Sequence, residues 1–258
     1  MNLHLADKIF LVAGSSRGIG KGVASALLTE GSRVCITGRD AHTLSTACEE
    51  LGSQWRAESI LAFQGDLSET RPICEALDAI LSRWGGLDGI VVNVGTGSGK
   101  PGWDQDEQEW ERLLRLNFHA AFRLAQAAIP RLIERGGGTI VFISSIAGVE
   151  ASPAPLPYCA AKAALLNYSK NLSRQLGGHG IRVNCIAPGN IIFPGGAWER
   201  HLMDRRAAVM EMLNSDVPMA RFGAPEEIAD LAVFLCSPRA SFITGSCFIA
   251  DGGQTRTI

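Results

Sequence analysis

The chain has 258 residues, 46% hydrophobic and 19% charged, with a net charge of −2. That length suits one α/β domain with a large buried core, and the composition excludes a disordered chain. No block of Lys or Arg stands out, which argues against nucleic acid or an anionic membrane surface as a partner.

The opening residues, MNLHLADKIFLVAG, lack the basic region and long apolar run of a signal peptide, and no stretch of about 18 apolar residues exists to span a membrane. Seven cysteines are scattered without a CxxC pair and read as free thiols of a reducing cytosol, so a cytoplasmic location is expected. The five histidines are dispersed and no HExxH occurs, so no metal site is expected.

In chain order, Lys8 to Ala13 (KIFLVA) reads as an apolar strand ending in a Gly-containing turn. Residues 18–30 follow with helical spacing, Ile19, Val23, Ala26 and Leu27 sharing a face. Further strands are predicted at 33–37, 60–64, 87–93, 139–144, 181–187 and 246–250. Helices are predicted at 41–51, 69–83, 107–134, 157–176, 197–214 and 225–236. Asp40 is placed to cap one helix and Asp66 or Ser68 the next, and Pro130 is expected to bend or break the long one. Strands alternating with helices imply a parallel sheet covered on both faces. Right-handed crossovers make it a doubly wound, Rossmann-type α/β sheet of about seven strands in a single domain. The irregular stretch 95–102 (GTGSGKPG) reads as an active-site loop, and about 189–216 as a substrate lid.

The first turn is Gly14-Ser15-Ser16-Arg17-Gly18-Ile19-Gly20. Glycines there let backbone approach a pyrophosphate, and the following helix N-terminus offers amide donors and partial positive charge. The second strand ends Thr37-Gly38-Arg39. An NAD site needs a carboxylate after this strand, whereas an NADP site carries Arg. Gly38 stands at the carboxylate position, Arg39 follows, and Arg17 reaches the same phosphate, so NADP(H) is the expected cofactor. GSGK at 97–100 is not a P-loop, because Pro101 stands where Ser or Thr is required and Val94 where the first Gly belongs. Trp103 and Trp110 read as loop and helix packing.

Tyr158 and Lys162 are four apart on a predicted helix and share its face, with Ser145 at the end of a strand before them and Asn117 in the preceding long helix. This set, with the GxxxGxG turn, Pro188-Gly189 and the terminal Ile243-Thr244-Gly245 and Asp251-Gly252-Gly253, resembles the short-chain dehydrogenase/reductase family over essentially the whole chain. The resemblance implies an Asn117–Ser145–Tyr158–Lys162 tetrad that interconverts a small-molecule carbonyl and an alcohol without metal. Tyr158 would exchange the proton, its pKa lowered by the Lys162 ammonium together with the cationic oxidised nicotinamide. Lys162 would also hold the nicotinamide ribose, Ser145 would donate to the substrate oxygen, and Asn117 would hold a water behind Lys162. Asp66, beside Leu67, would accept from the adenine amino group, Asn93 would be structural, and Gly95 would let backbone approach the cofactor. Ala13 replaces the family's usual Thr, removing one minor turn hydrogen bond.

Phe193 stands where the family often has a Thr that bonds the carboxamide, and the amide of Ile191 is a candidate replacement. Phe193, Trp198, His201 and Met203 either line an apolar pocket or pack the lid. Many relatives reduce 3-oxoacyl groups on acyl carrier protein, using basic residues whose positions here hold Gly136 and His179; Arg135 could substitute for the first. That activity, and a catalytically inactive NADP-binding sensor or scaffold, are the alternatives. The Ala-rich stretch Ala160, Ala161, Ala163, Ala164 suggests close helix approach, in keeping with the family's dimers and tetramers.

Overall fold

In this computed structural model, residues 2–100 and 102–256 are described. Seven strands form one parallel sheet in the order β3-β2-β1-β4-β5-β6-β7: β1 (Ile9–Ala13), β2 (Arg33–Gly38), β3 (Ile60–Gln64), β4 (Gly89–Val92), β5 (Gly138–Ile143), β6 (Ile181–Pro188) and β7 (Cys247–Ala250). Eight α-helices accompany it among the described residues: α1 (Gly18–Thr29), α2 (Ala41–Gly52), α3 (Thr70–Trp84), α4 (Glu107–Leu114), α5 (Ala120–Glu134), α6 (Leu156–Leu176), α7 (Ala197–Asp216) and α8 (Pro225–Cys236).

Period-2 alternation divides the core in two. Ile9, Leu11 and Ala13 point to the face covered by α3, α5 and α6, whereas Phe10 and Val12 point to the face covered by α1, α2 and α8. Because both faces are buried, the central strands are apolar at successive positions, as in β1, whose five residues are all buried. Each fully buried Leu, Ile or Val contributes about 1.5–3 kcal/mol, so the sheet is a rigid support for the loops at its carboxyl ends.

Two local expectations are corrected. Pro130 neither breaks nor ends its helix, since α5 continues through it to Glu134. The irregularity falls earlier, in a π turn at Arg115–His119 between α4 and α5. The helix expected from 69 starts at Thr70 with no side-chain cap, because Asp66 Oδ1 instead accepts from Ser68 N at 2.9 Å and stays in its own turn. Asp40 does cap α2, accepting from Thr43 N at 2.8 Å. α7 bends at Arg205, whose φ of −148° and ψ of 51° are not helical.

Candidate active site

Strands β1 and β4 are neighbours where the strand order reverses, and the crevice above such a switch point is where open α/β sheets bind ligands. The loops after β1, β2, β3 and β4 line a cavity of about 480 Å³ there. Of the predicted cofactor residues, Gly14, Ser16, Arg17, Ile19, Arg39, Asp66, Leu67, Asn93 and Gly95 line it. Gly18 and Gly20 do not. Gly20 is instead a close-packing position: a Cβ there would lie 2.3 Å from Gly14 O and 2.7 Å from Asn93 Nδ2. Asn93 Nδ2 donates to Gly14 O at 3.1 Å, which ties the turn to the end of β4.

Thr37, which the sequence reading did not single out, anchors the turn from β2. Gly14 N donates to Thr37 Oγ1 and Ser15 N to Thr37 O, both at 3.0 Å. Three arginines line the cavity, Arg17, Arg39 and Arg200, and among the described residues none of them forms an ion pair.

The predicted tetrad gathers under the Gly95–Gly97 edge of this cavity. Lys162, 4% exposed, donates from Nζ to Ile143 O at 3.0 Å, and its Nζ lies 5.7 Å from the Tyr158 ring centroid. The Ser145 hydroxyl faces the Tyr158 phenol closely enough to favour its ionised form. The neighbouring Ser144 is buried and donates to Lys162 O at 3.0 Å, so Ser145 is the one that faces Tyr158. Asn117 is fully buried, with Oδ1 accepting from Thr96 N and Nδ2 donating to Thr96 O and Leu113 O, each at 3.0 Å. Its side chain therefore clamps the loop over Lys162. Gly95 is required at this clamp: its φ is +137°, and a Cβ would sit 2.3 Å from Asn117 Oδ1.

Burial dominates the titration of this corner. It pushes the Tyr158 phenol above its ordinary value, and Ser145 only partly offsets the rise. Burial also pulls Lys162 down to about 8 from 10.5. Between those two values the unfolded chain holds more protons than the folded one, so this lysine's penalty on stability is complete below the lower value and is relieved as pH rises through the window. Lys162→Met is therefore expected to be more stable than the parent at neutral pH, by up to about 3 kcal/mol. Paired thermal melts across pH check this, and a difference that fails to shrink toward pH 10.5 contradicts it.

The substrate side departs further from expectation. Pro188, Gly189 and Ile191 do not line the cavity. Ile191 forms an isolated parallel bridge with Gly223, made by Ile192 N and Asn190 O, so its own amide is not used there. Phe193 does line the cavity, its ring lying against Gly18, where a Cβ would be 2.7 Å from Phe193 Cζ. Trp198 stacks edge-on with His201 at 5.5 Å and against Phe222 at 5.4 Å, while Met203 is 76% exposed, so these three build no apolar pocket with Phe193. Arg135 pairs with Asp88 at 3.3 Å, at the amino end of β4 and away from the cavity. Trp103 is not packed in its loop but 86% exposed. Pro101, used above to exclude a P-loop, lies outside the described residues.

Among the described residues, no three His, Cys, Asp or Glu side chains are grouped to hold a metal ion, and no helix is long and apolar enough to cross a membrane. A doubly wound parallel sheet with a Ser–Tyr–Lys corner beside its switch-point crevice defines the class of protein. Residues 13–255 match the family model described as enoyl-(acyl carrier protein) reductase. The chain is 31% identical over 255 residues to 2-(S)-hydroxypropyl-CoM dehydrogenase 3 of Xanthobacter autotrophicus, covering 99% of each protein. It is 34% identical over 258 residues to a 3-oxoacyl-[acyl-carrier-protein] reductase of Chlamydia muridarum, covering 98% of this chain and 100% of that protein. The solved structure of L-sorbose reductase from Gluconobacter frateurii, complexed with NADPH and L-sorbose, matches with a TM-score of 0.93 at 31% identity, covering 100% of both chains. The protein belongs to the short-chain dehydrogenase/reductase family of oxidoreductases.

Proposed function

We propose that this protein is an NADPH-dependent oxidoreductase that interconverts ketones and secondary alcohols, with Tyr158 as proton donor and acceptor. The observation that carries the reading is the gathering of Ser145, Tyr158 and Lys162 at the edge of the 480 Å³ crevice, which holds three guanidiniums without an ion pair among the described residues. The crevice fits a phosphorylated dinucleotide: Arg39 and Arg17 suit its phosphates, Asp66 its adenine end, and Gly95 leaves room for the nicotinamide half. Bound there, NADPH supplies the hydride that no side chain can. The relative bound to NADPH and L-sorbose supports the same cofactor and a hydroxyketone-like substrate class.

The chain's own residues then account for the proton. A Tyr158 whose pKa is raised by burial keeps its O–H at neutral pH, the form that donates to a carbonyl oxygen gaining negative charge. Ser145 donates a hydrogen bond to that oxygen, and Lys162 stabilises the phenolate left behind. Asn117 keeps the loop at Thr96 in place over them. Residues 189–216, with Phe193 against the glycine turn, form the substrate lid. The exposed small face of α6 around Ala160 and Ala163 supports a homo-oligomer, and the scattered free thiols support a cytoplasmic setting. With Arg135 held by Asp88, the carrier-protein substrate is the less favoured reading.

Consumption of NADPH by purified protein across a panel of ketones tests the activity, with a 3-oxoacyl carrier thioester as a further arm. Far higher kcat/KM on the thioester would move the assignment to acyl-carrier reduction. Arg39→Ala is expected to lower the NADPH-to-NADH ratio of kcat/KM by about tenfold or more, one charged phosphate contact being worth about 1.5–3 kcal/mol. An unchanged ratio removes Arg39 from cofactor choice.

A further inference from the structure

We infer that Cys185 of β6 and Cys247 of β7 form a redox pair, in which a peroxide oxidises the exposed Cys247 and the buried Cys185 closes a reversible disulfide behind it. The two are direct partners where β6 pairs with β7 in parallel, so both side chains leave the sheet on one face. Neighbouring strands lie about 4.7–4.9 Å apart, inside the Cα separation of about 4.4–6.8 Å that a disulfide spans. Among the described residues no other strand cysteine is placed this way: Cys35 of β2 has Leu11 and Leu61 as its partners. Cys185 is also the partner of Phe142, which precedes Ile143, the residue whose carbonyl holds Lys162 Nζ. The pair therefore sits beside the strand position that supports Lys162.

Exposure gives the two thiols different parts. β7 is an edge strand of the sheet and Cys247 is exposed on it, whereas Cys185 is fully buried in the core on the α6 face. A dissolved oxidant meets Cys247 first. The neighbouring Cys185 favours the ionised form of Cys247 and holds its thiol below the ordinary value, and the thiolate is the form that attacks a peroxide. Cys185 is itself held well above its ordinary value by Cys247 and by burial, so it waits as a thiol. The Cys247 sulfur attacks one peroxide oxygen, the O–O bond breaks, and the hydroxide that leaves takes up the proton released by the thiol. The Cys185 sulfur then attacks the sulfenic sulfur. The S–S bond forms, the S–O bond breaks, and the departing hydroxide takes the Cys185 proton. Two thiols are oxidised to one disulfide, and one hydrogen peroxide is reduced to two waters. In a reducing compartment the dithiol is the resting form, and a dithiol reductant restores it.

The test treats the purified, fully reduced protein with stoichiometric hydrogen peroxide, followed by intact mass and by peptide mapping without reduction. The parent is expected to lose two hydrogen masses per chain, to yield a cross-linked peptide joining 185 and 247, and to regain its starting mass with dithiothreitol. Cys247→Ser, a change at an exposed position that keeps the fold, should abolish both the cross-link and the mass loss. Cys185→Ala should leave Cys247 as a sulfenic acid that dimedone traps, so that its mass rises instead of falling. Absence of the 185–247 peptide from the oxidised parent overturns the inference. So does first oxidation at another thiol, such as the partly buried Cys48 or Cys74, and so does a parent whose Cys247 stays trapped as sulfenic acid without closing the bond. The parent and Cys247→Ser decide the outcome even where Cys185→Ala does not fold.

Discussion

Tyr158→Phe is expected to lower kcat for ketone reduction by roughly 100- to 10,000-fold while leaving the Kd for NADPH within about twofold, the scale of a single general acid. The variant removes one oxygen from a partly exposed ring and keeps its packing against the loop at Gly97 and beside Lys162. The loss should therefore fall on the proton and not on the fold. Ser145 keeps its main-chain bond, accepting from Ala147 N at 3.1 Å, so its position does not depend on the phenol. Full turnover in Tyr158→Phe would remove this side chain as the acid, and an equal loss of NADPH binding would show that the ring mainly shapes the crevice.

The second large effect is expected from Gly20→Ala, and here two physical arguments give opposite signs. Helix propensity alone favours Ala over Gly by about 1 kcal/mol inside a helix. Sterics oppose it, because the added Cβ would lie 2.3 Å from Gly14 O, a backbone atom of the very turn that lines the crevice. Overpacking against backbone costs about 1–3 kcal/mol or more, so the net change is destabilising, with Tm falling by about 4–8 °C for roughly 2 kcal/mol in a chain of this size. Displacing Gly14 also disturbs its bonds to Thr37 Oγ1 and to Asn93 Nδ2, so the Kd for NADPH should rise as well. A variant as stable as the parent, or more so, would mean that α1 slides without cost and that the glycine is not needed for close packing.

The order of strands and helices was legible because each strand is a short apolar run bounded by Gly or polar residues, as in KIFLVA and TIVFIS. The Tyr158–Lys162 pair was legible for an equally local reason, the four-residue spacing that puts both on one face of α6. What could not be read depends on neighbours distant in sequence. Thr37 anchors the glycine turn only because β2 lies in register with β1, Val12 opposite Ile36. Arg200 reaches the crevice because of where α7 is placed against the turn, which no spacing within residues 197–216 encodes.

The π turn at 115–119 has an ordinary helical pattern, while Pro130, the stronger local signal, sits in a helix that tolerates its missing N–H. The burial of Tyr158 is hidden from the sequence for a similar reason. Spacing reveals a cation nearby but not the burial that outweighs it, nor the carbonyl of Ile143 that occupies the ammonium. Asn117 was found by its resemblance, yet its contacts with Thr96 show a clamp on the loop that position alone does not disclose.

The most direct check is a fluorescence titration of the purified protein with NADPH, followed by addition of a series of ketones to the bound complex. Saturable binding, then decay of the reduced-nicotinamide signal with at least one ketone in the parent and hardly any in Tyr158→Phe, is the predicted result. Saturable binding with no decay on any ketone, and no reverse reaction of NADP with any secondary alcohol, would contradict it and leave a nucleotide-binding protein without this chemistry.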